Sequence, residues 1–493
     1  MTLAHAVVFG YLLVVLTLGV VAGRRGGGGV TDFVAGDRAF GPVLMYFVMG
    51  ATIFSAYALL GTPQRVVSKG SDAFYILAYG AVGFVPVYFF GAKVRRLGAK
   101  LGVVTQAELL GGRFASRYVW GLMGVSTVLA FVPYLVIQLK GAGMVMAAVT
   151  GWEPGVGAAV VYGVVTLYVV LGGVRGVGWT NVVQGIAMLV VVWGLGLWIP
   201  HALYGGVPEM FDRVIAERPD TLVLPGPGPT SDGQYSAEVL VSILGFSMWP
   251  QVFMKCFTAR SAKLVQLSAV LYPTFLFFLV PLLFIGYAAV LEGGPADDTV
   301  LLWMLERPAL GGLGPAAFAF VAFAILAASM STGDALLHAG GSILVRDVFV
   351  GGLGRTLGDG AQTRAMRACI VALGVVALVV FQSSSGTSVV DLLLLAYAIP
   401  IQFMPLVLAG LYWRRANRSS AVAALSVGVG SAVGLFVLQQ LAPELYARVN
   451  PWGLQIGAIA GALNLATLLL VAWATPPMDE GHLEQYGLSP TTE

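Results

Sequence analysis

In the stretch FAFVAFAILAASMSTGDALLHAGGSILVRD, Ser331 and Thr332 follow Ala328 by three and four positions, so on a helix all three share one face. Two hydroxyls beside free backbone carbonyls make an all-oxygen set, which hard cations prefer, and no carboxylate has to be buried to build it. The same pair also reads as hydroxyls bonded to their own helix or to a neighbour. Asp334 lies three residues past Ser331 on the same face. A carboxylate inside a membrane helix is costly, and it reads either as part of a cation path or as a local ion pair with an Arg. Lys140, in YLVIQLKGAGMVM, is a second costly charge. Its ammonium either snorkels to the outer interface or, helped by Gln138, acts as counter-ion to an anionic solute. Ser55, Tyr57, Tyr134, Trp249, Gln251, Tyr397 and Gln402 supply aromatic, hydroxyl and amide groups for a pocket, and each serves equally as helix-packing filler. Their balance, rich in aromatics and poor in amides, suits a small carboxylate better than a sugar.

All of these residues sit in apolar segments. The 493 residues are 58% hydrophobic and 10% charged, whereas soluble domains carry about a quarter charged residues. Thirteen segments are long and apolar enough to span a bilayer as helices. They lie near 4–22, 41–62, 73–92, 119–148, 156–172, 179–203, 237–257, 265–291, 315–338, 366–382, 388–413, 420–440 and 454–474. The fold class is therefore an all-α polytopic membrane protein, with one transmembrane domain over 1–474 and a polar, mobile tail over 475–493. The continuous apolar runs do not match the alternating strands of an outer-membrane barrel.

Charge bias orients the chain. With the N-terminus outside, twenty of the 27 Lys and Arg fall in inner loops, among them Arg24, Arg25, Arg38, Lys93, Lys255 and Arg346. Six (Arg65, Lys69, Arg213, Arg218, Arg307 and Arg448) fall outside. Inner loops collect Lys and Arg, so the sequence predicts an inner-membrane protein with a cytoplasmic C-terminus. No basic residue precedes the first apolar run and no small-residue cleavage site follows it, so an uncleaved first span is expected. The cysteines and histidines show neither disulfide nor metal-ligand spacing, and the short basic loops, explained by topology, give nucleic-acid binding no support. The outer loop near 204–236 reads as a lid or cover, and a short surface helix is expected around Thr105–Leu110 on the inner side.

Two spans are interrupted. The second contains Gly50, Thr52, Ser55, Gly61 and Pro63, and the seventh contains Gly245, Ser247, Trp249, Pro250 and Gln251. An offset of five spans implies repeats of opposite orientation. Paired broken helices in two such halves mark a midplane site in transporters.

Four strings sharpen this reading. AASMSTGDALLHAGGSILVRD resembles the signature helix of the sodium:solute symporter family, and TIFSAYALLGTP at 52–63 resembles that family's first core helix. GGVRGVGWTNVVQ at 172–184 and FVAGDRAFGP at 33–42 are similar to two further family stretches, in the family's order. The resemblance covers about residues 10 to 440. It implies a LeuT-type core of two inverted five-helix repeats, over about 41–203 and 237–413. It also implies Na+ as coupling ion, held by the carbonyls of Ala51, Phe54 and Ala328 and the hydroxyls of Ser331 and Thr332. Relatives that carry proline or sugars have Asp where this chain has Asn181, and the proline carriers have another where it has Ile53. Asp334 would then supply the charge that Asn181 lacks. SAYALLGTP and QLKG look most like the monocarboxylate branch. The expected function is Na+-coupled import of lactate, pyruvate or propionate, with pantothenate or an amino acid as alternative solutes and a proton as the alternative coupling ion. No catalytic constellation appears within the spans, and an enzyme is not expected; nor is an obligatory protein partner.

Overall fold

A computed structural model of the chain describes residues 2–24, 26–228, 230–308, 310, 314–383 and 396–488. Arg25 of the inner basic set, Pro229 of the outer loop, residues 388–395 of the eleventh expected span and the last five residues of the tail lie outside the described residues.

Among the described residues every named element is helical. Nine helices are long and apolar enough to cross a bilayer, or ten if one bent pair counts as a span. Some of these hold more than one crossing's worth of chain. Pro154–Tyr204 has 51 residues and Tyr57–Leu101 has 45, about 76 and 68 Å if straight at 1.5 Å per residue, against roughly 30 Å of hydrocarbon. Pro154–Tyr204 breaks at Gly173, with φ 53° and ψ −154°. A Cβ there would meet the Phe33 ring at 2.9 Å, so both the backbone angle and the close approach require glycine.

The elements used below are α1 (Leu3–Gly23), α2 (Pro42–Ala51), α3 (Thr62–Lys69), α4 (Arg117–Thr150), α5 (Pro154–Tyr204), α6 (Asp232–Phe246), α7 (Pro250–Phe253), α8 (Gly314–Ile343) and α9 (Asp359–Ser383). Helix α8 is the structural axis: every residue from Ala324 to Ile343 is buried, and it packs against α1, α4, α5 and α9. Helices α1 and α5 approach through paired small residues. A Cβ on Gly23 would lie 2.3 Å from Gly172 Cα, and one on Gly172 or Gly176 would lie 2.5 or 2.9 Å from Gly19 O. Gly19–Gly23 and Gly172–Gly176 are each four apart, the spacing that lets membrane helices meet backbone to backbone.

Both expected interruptions are present. Helix α2 ends at Ala51, residues 52–55 are not helical, and a π-helix at Tyr57–Gly61 leads into α3. Helix α6 ends at Phe246, and after Ser247–Trp249 the chain re-enters helix at Pro250, the two halves bent by 43°. Trp249, with φ −54° and ψ 119°, is held out of the helical region by the proline that follows it. Unwound backbone at membrane depth is tolerated only where protein or a cavity covers it. Both breaks are covered, since Thr52, Phe54, Ser55 and Ser247–Trp249 are all buried.

The 204–236 loop is an ordered cover, with helix Val207–Glu217 and a 3-10 turn at Pro219–Leu222. It is fixed by Ser71 Oγ donating to Val223 O at 2.7 Å. On the opposite face, the short surface helix expected near Thr105–Leu110 is Gln106–Arg113, started by a Thr105/Glu108 capping box, but it is buried rather than at the surface. The tail expected to be mobile is docked through residue 488. Glu480–Gln485 is helical, Leu483 and Tyr486 are buried, and Lys93 and Lys100 donate to Gly487 O and Gln485 O at 3.2 and 3.0 Å. Three buried apolar side chains, Leu483, Tyr486 and Leu488, in an otherwise polar tail supply the anchor. The same face gathers Arg38, bonded to Gly98 O and Val103 O, and Arg95, bonded to Ala259 O. Loops assigned inward by charge bias thus share one end of the molecule.

Candidate functional site

The end of α2 meets the middle of α8 through one hydroxyl. Ser331 Oγ lies 3.0 Å from Ala51 O and 3.1 Å from Ala328 O, which brings together three of the five expected cation-site residues. Thr332 Oγ1 and Thr52 Oγ1 are buried beside this junction without a hydrogen-bond partner. Phe54 belongs to the unwound stretch, its ring stacked on Phe275 with centroids 5.1 Å apart. A hydroxyl can turn its lone pairs toward a cation, and Thr332 Oγ1 has no competing bond to give up. Buried polar atoms are nearly always satisfied, and Thr332 Oγ1 is one that is not.

One turn further along α8, Asp334 is fully buried. Its Oδ2 accepts from Tyr168 at 2.8 Å and Thr180 at 3.2 Å, and its Oδ1 from Asn181 Nδ2 at 3.3 Å. Asn181 Nδ2 also donates to Val177 O at 2.6 Å, while its Oδ1 has no partner. The carboxylate therefore sits against the residue whose missing charge it was expected to replace. Among the described residues no Arg bonds it. Its cationic neighbour is Lys255, which interacts with it electrostatically. The sequence reading put Lys255 in a loop, but it is buried in helix Lys255–Thr258, just past the second break.

Between the breaks lies an aromatic chamber. The Trp249 ring is 4.9 Å from Tyr134 and 5.3 Å from Tyr397, and Tyr397 is 6.2 Å from Tyr79. The hydroxyls of Tyr57 and Tyr75 touch. Ser55 lies beside Tyr134 and Trp249 Nε1 beside Tyr397, each short of hydrogen-bond geometry, and Gln251 Oε1 is buried and unpartnered. Ser55, Tyr57, Tyr134, Trp249, Gln251 and Tyr397 thus line or flank the two breaks. Tyr75 and Tyr79 join the chamber without having been singled out. Their signal was available as aromatic i, i+4 spacing.

Three expected pocket residues are engaged elsewhere. Gln138 Oε1 accepts from Ala56 N at 3.0 Å and its amide donates to Tyr134 O, so it splints the first break. Lys140 Nζ lies 2.6 Å from Asp298 Oδ2, with the lysine 24% exposed; the long side chain reaches an acidic loop and its charge is met there. Gln402 donates to Ala398 O at 3.0 Å and receives Asn464 Nδ2 at 3.2 Å, facing the last helix.

The model of the sodium:solute symporter family matches residues 33–428. The chain belongs to the sodium:solute symporter family. It is 28% identical to YhjB, an uncharacterized symporter of Bacillus subtilis, over 96% of this chain and 98% of that one. It is 25% identical to a monocarboxylate transport permease protein of Rhizobium johnstonii, over 95% of this chain and 96% of that one. The structure of a Na+-coupled sialic acid symporter, in a substrate-bound outward-open state, superposes with a TM-score of 0.79 at 19% identity, covering 97% and 98% of the two chains. The fold is therefore LeuT-type, and the protein is a multi-pass membrane transporter rather than an enzyme.

Two polar clusters flank the symporter's central region. Arg65, buried on α3, binds Asp72 and also Glu238 of α6 at 2.5 Å, and its guanidinium lies 3.9 Å above the Tyr75 ring. At the other end Arg346 binds Glu108, while Asp347 accepts from Thr105 Oγ1 at 2.6 Å and from Trp120 Nε1 at 2.8 Å. Both clusters were missed because their partners are distant in sequence.

Proposed function

We propose that this symporter imports a small monocarboxylate, such as lactate, pyruvate or propionate, together with Na+ across the cytoplasmic membrane by alternating access. The observation that carries the reading is the chamber itself, with aromatic walls between two helix breaks and beside the Ser331–Ala51–Ala328 junction. Na+ is held by the carbonyls of Ala51, Phe54 and Ala328 and the hydroxyls of Ser331 and Thr332, and Asp334 draws it onward. The solute sits among Ser55, Tyr57, Tyr134, Trp249, Gln251 and Tyr397. With Lys140 paired to Asp298, the carboxylate handle is the set of amides where the chain re-enters helix after each break, at the positive ends of the helix dipoles. Likeness to a monocarboxylate permease supports this choice of solute. The topology has its N-terminus outside and its C-terminus inside, in keeping with the basic face. Pantothenate and amino acids also carry a carboxylate and are the second reading.

The test is uptake of labelled lactate, pyruvate, propionate, pantothenate and proline into proteoliposomes at fixed pH. An inward Na+ gradient should drive accumulation of the short monocarboxylates, and choline in place of Na+ should abolish it. Uptake confined to pantothenate or proline would replace the solute assignment. Uptake unchanged in choline would remove Na+ from the mechanism.

A further inference from the structure

On the basic face, away from the chamber and the cation junction, a cavity of about 420 Å3 opens where the end of α1, the glycine loop after it, the bend of α5 and the start of α9 converge. Its lining includes Gly28, Asp32, Arg175, Thr363, Arg364 and Arg367. The charges divide into two groups. Asp32 is already matched, because Arg175 Nε lies 2.7 Å from its Oδ1 and Gly28 N donates to its Oδ2 at 3.1 Å. Arg175 also binds Asp37 at 3.1 Å. Arg364 and Arg367 make no ion pair or hydrogen bond among the described residues, and Arg367 only approaches the Phe33 ring at 5.7 Å. Asp359, the remaining acid nearby, comes within 3.8 Å of where a Gly29 Cβ would stand. A Cβ on Gly28 would meet nothing within 4 Å, so this part of the loop faces open space.

Charge bias explains why arginines lie on this face but not why two of them line one concave site opposite a neutralised acid. Two guanidiniums three residues apart on one helix face form a fork that fits phosphate oxygens; the Thr363 hydroxyl beside them already donates to Asp359 O at 3.0 Å. Basic pockets between transmembrane helices at the inner surface suit phospholipid headgroups. We propose that this cavity binds a phosphate-bearing anion, held chiefly by Arg364 and Arg367, at a site separate from solute and Na+.

The test uses the full chain in detergent at constant Na+ and ionic strength, titrated with dioctanoyl-phosphatidylglycerol or with inorganic phosphate while the melting temperature is followed. Binding to the native state raises it saturably. The Arg364→Gln/Arg367→Gln protein is compared with Arg355→Gln/Arg418→Gln, which removes two exposed inner arginines outside the cavity. A saturable shift with the lipid alone identifies a headgroup site, and one with inorganic phosphate as well identifies a free phosphate site. Either supports the proposal if the first variant loses at least tenfold in half-saturating concentration and the second does not. Should the first variant melt much lower without ligand, Arg367→Lys, which keeps the charge but loses the fork, must weaken the shift severalfold. Equal shifts in all variants, or no saturable shift with either probe, overturn the proposal.

Discussion

Replacing Asp334 by Asn tests whether its charge acts on the transported cation. Residues three apart on a helix have Cβ atoms about 5–6 Å apart, which sets the scale for the distance from Asp334 to a cation held at Ser331. At an effective dielectric of about 20, unit charges about 6 Å apart attract by roughly 3 kcal/mol, or about 100-fold in the half-saturating Na+ concentration. The single substitution has a side effect. Lys255 is buried and feels the Asp334 charge from beyond ion-pair distance, so removing that charge leaves a buried cation less compensated, at a cost in stability. Asp334→Asn should therefore both raise half-saturating Na+ and lower the melting temperature. Asp334→Asn/Lys255→Met separates the two effects. It should regain most of the lost stability, yet still need at least about tenfold more Na+ than the parent for half-maximal uptake in proteoliposomes. A double variant with parental Na+ dependence would refute the reasoning, because the carboxylate's role would then be confined to neutralising Lys255.

Three further outcomes follow from the site. Arg65→Gln leaves Asp72 and part-buried Glu238 without their cation, so the detergent-purified protein should lose about 3–5 kcal/mol of stability; adding Asp72→Asn and Glu238→Gln should restore most of it, as read by thermal unfolding. Lys140→Met/Asp298→Asn removes an ion pair, and the KM for the transported carboxylate should stay within about twofold, whereas a lysine that binds solute would raise KM at least tenfold. Asn464→Ala removes bonds to Gln402 at 2.8 and 3.2 Å; stability should fall by about 1 kcal/mol per bond lost with KM unchanged.

What could be read in advance follows sequence separation. Ala328, Ser331 and Thr332 share a helix face because their spacing is local, and both helix breaks were visible as glycine and proline in apolar runs. The LeuT-type fold followed from strings local to single helices. Contacts made only by folding were hidden. Asp334 and Asn181 are 153 residues apart, and Arg65 and Glu238 are 173 apart, so no periodicity links them. Lys255 and Arg65 were assigned to loops because a charge at the end of an apolar run resembles a boundary; their burial, for Arg65 with acidic partners, became visible only once the helices were packed. Lys140 and Gln402 failed as pocket residues for the converse reason. Each stands in a suitable span, but its side chain is directed to a partner that sequence does not place nearby.

The two flanking clusters bear on how transport must proceed. Arg65 ties α3 to α6, and so joins one half of each of the two broken helices. The Arg346–Glu108 pair and the bonds of Asp347 join the end of the long α8 segment to helix Gln106–Arg113 and to α4. Between them, the cavity lined by Phe54, Tyr57, Tyr79, Phe246 and Tyr272 measures about 20 Å3. A single water needs roughly 10–15 Å3 by a comparable measure, so a three-carbon acid does not fit. Both ion-pair clusters are made in this conformation. Opening at one end must separate α3 from α6, and opening at the other must release the segment after α8 from the Gln106–Arg113 helix. Each step breaks one buried ion pair and leaves the other intact. Closed packed interfaces are bistable rather than continuously deformable, so opening one end while the other pair holds is the behaviour that alternating access requires.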